Sequence, residues 1–289
     1  GMVVNKTMFD EAGIEVPTEW TYDEFLDVCA KLTHGEGTDK VYGVFWNSQQ
    51  DMAQYAQFMI QQTLGGDNMY TADGTATNFT DDVWQKTISL ISTTMNEGYA
   101  PTHADSVTEK LSQESMFLGG KAAMTIGPWM VRNIKDTETY PHDFVTAFAP
   151  YPVVSEDQRN YTQGGYGDLL CINPRSEHLD EAWEFAKWYL TEGGLYLASG
   201  GRVPAANTYN ADDVVNAFLS GAENLFDADS TKAVLITPHD NYAAPSITTK
   251  NAELTDIINE ELESIYTGQK TVEEGLESAK TRGDAALAG

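Results

Sequence analysis

A glycine-bounded apolar run that ends in Gly-Pro-Trp constrains this chain more than any other feature: residues 117–129 read FLGGKAAMTIGPW. Upstream, Ser106 and Glu109 have the spacing of a capping box and are expected to start a helix. Gly119-Gly120 stops it, because glycine takes a left-handed conformation without steric penalty. Lys121 to Ile126 is then short and apolar, as a buried strand is. Gly127-Pro128 ends that strand, and proline at a first helical position opens another helix with Trp129 in its opening turn. Trp129 therefore falls at the carboxyl end of a strand, where open α/β sheets bind ligands. Two roles fit it, a binding platform or a core tryptophan under a loop.

The rest of the chain alternates strand and helix signals. Thr21/Glu24 and Thr271/Glu274 are capping boxes. Tyr22, Phe25, Leu26, Cys29 and Leu32 recur at helical spacing, as do Trp84, Ile88, Ile91 and Met95 after a Thr80 cap, and Leu254, Ile258, Leu262 and Ile265. Further helices are predicted over about 51–64, 179–190 and 212–219. Strands are predicted at 41–46, 144–149 and 168–172. Strands interleaved with helices specify α/β layers, with a helix-rich carboxyl-terminal region. Trp20, Trp84, Trp183 and Trp188 lie on or beside helix faces and are expected in the core, as are Cys29 and Cys171 in their apolar runs.

Charge narrows the partners. With 44 acidic and 17 basic residues the net charge is −27, which repels nucleic acid and anionic lipid surfaces. No apolar run approaches the roughly 18 residues of a membrane-spanning helix. Catalytic signatures are missing: there is no HExxH, no GxSxG and no phosphate loop, and the five histidines have no metal-ligand spacing. No cofactor or metal is implied. The pair Cys29 and Cys171 leaves a single disulfide open.

A binding site is better supported. Sugars present flat apolar faces edged by hydroxyls, so they need aromatic platforms with short polar side chains and backbone groups. Trp46-Asn47 closes one predicted strand and Trp129 another. Gly164-Gly165-Tyr166-Gly167-Asp168 is a loop that lets backbone approach a ligand, with Tyr166 and Asp168 available to it. Arg202 follows Gly200-Gly201 and offers forked hydrogen bonds. Tyr242 lies in the polar, aromatic loop His239–Tyr242.

Taken in order, VNKTMFDEAGIEVPTEWTYDEF (4–25), VYGVFW (41–46), LGG (64–66), FLGGKAAMTIGPW (117–129), FAPYPV (148–153), GGYGDLLCINP (164–174), DEAWEFAKWYL (180–190), GGRVPA (200–205) and TVEEGLESAKTR (271–282) resemble the extracellular sugar-binding proteins of ABC importers, the maltose-binding-protein-like family. The resemblance implies a type II periplasmic-binding-protein fold of two interleaved lobes, truncated at its amino-terminal end, because VNKTMFDEAG follows most of the first lobe in the family. Roughly 100 residues, the content of one small lobe, would precede it. Residues 1–145 and 210–289 would form the second lobe, and 146–209 a remnant of the first with crossover segments. The implied function is delivery of a sugar or oligosaccharide to a membrane permease, outside the cell or in the periplasm, with a lipoprotein anchor that lies outside this chain. The family places a sugar-stacking aromatic at the position of Trp129 and a cleft-lining turn at Gly164-Gly165. The same fold binding a polyamine, an organic phosphate or an acidic sugar stays open, as do a carbohydrate-active enzyme and a non-transporting module. Self-association through the incomplete lobe is a further expectation.

Overall fold

The computed structural model describes all residues except 48–51, 158–161, 164–168, 238 and 243–244. Its centre is a three-stranded antiparallel sheet. β1 (Met2–Asn5) lies in the middle, pairing with β2 (Met124–Ile126) on one side and β3 (Thr146–Ala149) on the other. Because side chains alternate across a strand, Met2 and Val4 join Met124, Ile126, Ala147 and Ala149 in the larger core. Val3 and Phe148 face a second core with Phe117, Val131, Phe218 and Phe226. Both faces of the sheet are thus covered, and the Val-Val run at the amino end of the chain is a central strand that its sequence alone did not reveal.

Around this sheet the chain runs α1 (Lys6–Glu11), α2 (Tyr22–Leu32), α3 (Met52–Leu64), α4 (Asp82–Asn96), α5 (His103–Thr108) and, after β2, α6 (Val131–Lys135). Beyond β3 come β4 (Thr162–Gln163), α7 (Leu179–Trp188), α8 (Gly194–Ala198), α9 (Ala211–Leu219), α10 (Ala228–Thr231), β5 (Asn241–Tyr242), α11 (Asn251–Tyr266) and α12 (Val272–Ala288). α2 and α12 begin at the two expected capping boxes, each with its reciprocal hydrogen bonds. α11 and α12 pack against the large core, where Glu261 is buried and bonded by Lys270, Arg282 and Ser278. Lys135 closes α6 by donating to the carbonyls of Ser199, Phe218 and Ser220, which ties the ends of α8 and α9 to it. Among the described residues no helix is long and apolar enough to cross a membrane.

Several local expectations change. Ser106 and Glu109 do not open a helix: α5 starts at Thr102, whose hydroxyl accepts from the Asp105 amide at 3.1 Å, and Ser106 is buried inside it. Lys110 then takes a left-handed φ of 52° and breaks the chain away before a π-helical turn over Glu114–Leu118. Asp81 rather than Thr80 caps α4. The 41–46 segment makes isolated bridges, Val41 to His34, Tyr42 to Ala122 and Phe45 to Thr125, and no continuous strand. Residues 169–172 form no strand, and Cys171 is exposed while Cys29 is buried; both thiols are free.

Trp20 and Trp84 are core residues at 3% and 0% exposure, but Trp183 and Trp188 are not. They belong to an apolar face with Leu179, Phe185, Leu190 and Tyr196, all more than a third exposed. The helical pattern of α7 marks an apolar stripe, which nothing among the described residues covers.

Candidate functional site

Trp129 stands where the sequence puts it, at the carboxyl end of β2, and it is 48% exposed. Its setting is built from three directions. Gly127 turns the chain with a φ of +117°, and a Cβ there would lie 2.3 Å from the indole ring, so the ring folds back over a position only glycine can fill. Gln113, buried beneath, accepts a long 3.4 Å hydrogen bond from the indole Nε1 and donates to the Thr125 hydroxyl and the Ile126 carbonyl. Phe58 of α3 meets the indole with ring centroids 6.1 Å apart.

The aromatic surface continues from Phe58. Tyr151 stacks on it at 5.8 Å and an interplanar angle of 6°, and Tyr55, one turn earlier on α3, meets it edge-on at 6.5 Å. One turn later Gln61 accepts a 2.6 Å hydrogen bond from the Tyr242 hydroxyl. Tyr55, Phe58 and Gln61 share a helix face because they are three residues apart. Burial pushes the Tyr151 phenol above its ordinary range, and the neighbouring phenols of Tyr242 and Tyr55 add to the shift. Burial alone raises Tyr242, to about 12. These groups stay neutral at physiological pH. Trp129, Phe58 and Tyr151 thus present aromatic faces beside the Gln61 amide, over the buried Tyr55, Tyr242 and Gln113, and none of these side chains carries a formal charge.

The other expected site residues fall in different places. Trp46 is 3% exposed, donates to the Thr94 hydroxyl at 2.8 Å and packs on Phe25, so its ring is part of the large core. Asn47 borders a shallow hollow with Trp46, Met52, Tyr55, Ile91, Met95 and Tyr266, with room for about one water molecule. Tyr242 joins the aromatic surface by its hydroxyl, although its ring is largely buried. Arg202 is exposed on the turn after α8, where Gly201, at φ +86°, packs against Val131 of α6. Gly164, Gly165, Tyr166 and Asp168 lie outside the described residues. Gln163, just before them, pairs with Tyr242 in the parallel β4–β5 ribbon.

Tyr55, Phe58, Gln61, Gln113 and Tyr151 were not expected. The spacing of 55, 58 and 61 on the helix after Trp46-Asn47 was the available signal, and Tyr151 lies inside the FAPYPV segment. Among the described residues, no group of three or more His, Cys, Asp or Glu side chains is placed to hold a metal ion.

Comparison with known proteins bears on family and fold. Residues 1–195 match the family described as bacterial extracellular solute-binding protein. No curated protein sequence matches the chain. Among solved structures, a sugar transporter of Rhizobium etli in an open conformation superposes with a TM-score of 0.77 at 21% identity, covering 99% of this chain and 69% of that one. The sugar-binding protein MalE of Xanthomonas citri gives 0.71 at 21% identity, covering 99% and 68%. An ABC substrate-binding protein of Listeria monocytogenes in complex with cycloalternan gives 0.68 at 18%, covering 99% and 69%. All three carry the type II periplasmic-binding-protein fold, and their descriptions are of binding and transport rather than catalysis. A family match over two thirds of the chain, on this fold, shows that the chain belongs to the bacterial extracellular solute-binding proteins.

Proposed function

We propose that this protein is the receptor of a carbohydrate ABC importer and binds an uncharged sugar or oligosaccharide on the surface formed by Trp129, Phe58, Tyr55, Tyr151 and Tyr242. The observation that carries the reading is the half-exposed Trp129 ring, held at a strand end by Gly127, Gln113 and Phe58. A flat apolar face at a fixed tilt suits the C–H face of a pyranose, and neighbouring amides and phenols suit its hydroxyls. Asn47, Arg202 and the Gly164–Asp168 loop are the candidate rim of the same site. The aromatic and amide groups carry no charge and by themselves favour a neutral sugar over a polyamine, an organic phosphate or an acidic sugar, which would have to draw its counter-charge from the rim residues Asp168 or Arg202.

In this reading residues 1–145 and 210–289 form one lobe, and 146–209 is a remnant of the other with crossover segments, β3 being one since it pairs with β1. The exposed apolar face of α7 and α8 supports that division, since a lobe boundary is where such a face finds cover. Closure of two lobes on the sugar is the signal to a membrane permease, because a ligand favours whichever state it binds better. The site of action is extracellular or periplasmic, with a membrane anchor outside these residues.

Calorimetric titration with maltotriose, cycloalternan and a set of monosaccharides, beside spermidine, glycerol phosphate and glucuronate, tests the ligand class. Saturable heat with a neutral sugar alone supports the proposal; saturation by a charged solute alone refutes it.

A further inference from the structure

Gln113 is a buried polar side chain that its own element does not use. It is 6% exposed, and it makes no side-chain capping bond to the π-helical turn it precedes. Its amide instead reaches the end of β2. Nε2 donates to the Thr125 hydroxyl at 3.2 Å and to the Ile126 carbonyl, while Oε1 accepts from the Trp129 indole at 3.4 Å. Both donors and one acceptor of the amide are therefore committed to the strand end and the tryptophan that follows it.

We infer that Gln113 is a positioning residue that sets the tilt of the Trp129 ring and reserves its indole N–H, so that a ligand meets the face of the ring and not its donor. This rests on the proposal that Trp129 stacks on a sugar. The ring already has Gly127 beneath it and Phe58 beside it. The hydrogen bond to Gln113 adds a third restraint, on rotation of the indole about its own bond. A ring fixed before binding loses little freedom on binding, whereas a free one gives up about three- to tenfold in affinity. Hydrogen bonds to sugar hydroxyls then come from other groups on the surface, such as the Gln61 amide.

The test uses Gln113→Met, which keeps length and removes all three bonds, and Gln113→Glu, which keeps the acceptor facing the indole. The first readout needs no ligand: the Trp129 indole N–H resonance, identified by its loss in Trp129→Phe. In Gln113→Met it is expected to move upfield and exchange about tenfold faster with solvent, with Gln113→Glu closer to the parent. An unchanged resonance in Gln113→Met overturns the inference. The second readout is maltotriose affinity, expected to fall three- to tenfold in Gln113→Met but not when Gln113→Met is added to Trp129→Phe. Equal affinity of the parent and Gln113→Met overturns the inference while leaving sugar binding intact. If the parent itself ignores every carbohydrate, sugar binding fails and the indole resonance alone decides whether Gln113 holds the ring. Should Gln113→Met not fold, Gln113→Glu carries the same indole test: a resonance displaced as far as that of a solvent-exposed tryptophan overturns the inference.

Discussion

Gly127→Ala tests whether the Trp129 platform is built as described. Alanine at φ +117° is strained by about 2 kcal/mol. Its methyl would also lie 2.3 Å from two carbons of the indole and 2.7 Å from a third, far inside the roughly 3.5–4.0 Å of a carbon–carbon contact. The ring must swing away, losing its pairing with Phe58, about 1 kcal/mol, and the bond to Gln113, about another 1 kcal/mol. The total is about 4 kcal/mol. With a urea m-value of about 3 kcal/mol/M the unfolding midpoint falls by roughly 1 M. The ring contribution is separable. In a Trp129→Ala background the clash has no partner, so Gly127→Ala costs only the backbone strain, and the double-mutant cycle returns a coupling of about 2 kcal/mol. Urea unfolding followed by far-UV circular dichroism on the four proteins measures it. A coupling near zero would mean that the indole does not rest on Gly127, and the platform geometry would be wrong.

Two further outcomes follow from the same fold. Glu261 is held below the usual glutamate pKa: burial alone would raise it, but the bonds from Lys270, Arg282 and Ser278 outweigh that effect. A carboxyl depressed in the folded state stabilises above its unfolded value of about 4.3 and loses that contribution as pH falls through the folded value. Glu261→Gln is therefore expected to cost about 2 kcal/mol in urea unfolding at pH 7, with the gap from the parent closing progressively below about pH 4; a gap that is constant with pH would refute the assignment. Replacing Trp183, Phe185 and Trp188 by Ser removes the centre of the exposed α7 face. By light scattering the parent is expected to self-associate more at high salt, which screens its charge of −27, and the triple variant to stay monomeric; a monomeric parent at every concentration would refute self-association through this face.

Local chemistry carried most of what the sequence revealed. The Thr21/Glu24 and Thr271/Glu274 boxes, the Leu254–Ile265 stripe and the strand-to-tryptophan turn at 124–129 depend on neighbours within a few residues, and the structure has them. The failures depend on distant contacts. Met2–Asn5 is a strand because Met124 and Thr146 flank it, and Trp183 is exposed because nothing among the described residues lies opposite it. Trp46 was legible as an aromatic at the end of an extended segment, but its Thr94 partner, 48 residues on, marks it as core. The aromatic surface draws Tyr55, Phe58, Trp129, Tyr151 and Tyr242 from segments that share no pattern. Only folding brings them together, and of the five the sequence had singled out Trp129 and Tyr242.

Tryptophan fluorescence during titration with maltotriose and the other neutral carbohydrates, on the parent and on Trp129→Ala, tests the central claim most directly. The account predicts a saturable change for at least one neutral carbohydrate that Trp129→Ala abolishes while its circular dichroism stays that of the parent. A folded parent with no response to any of them, or a response that Trp129→Ala leaves intact, would contradict a sugar site on this surface.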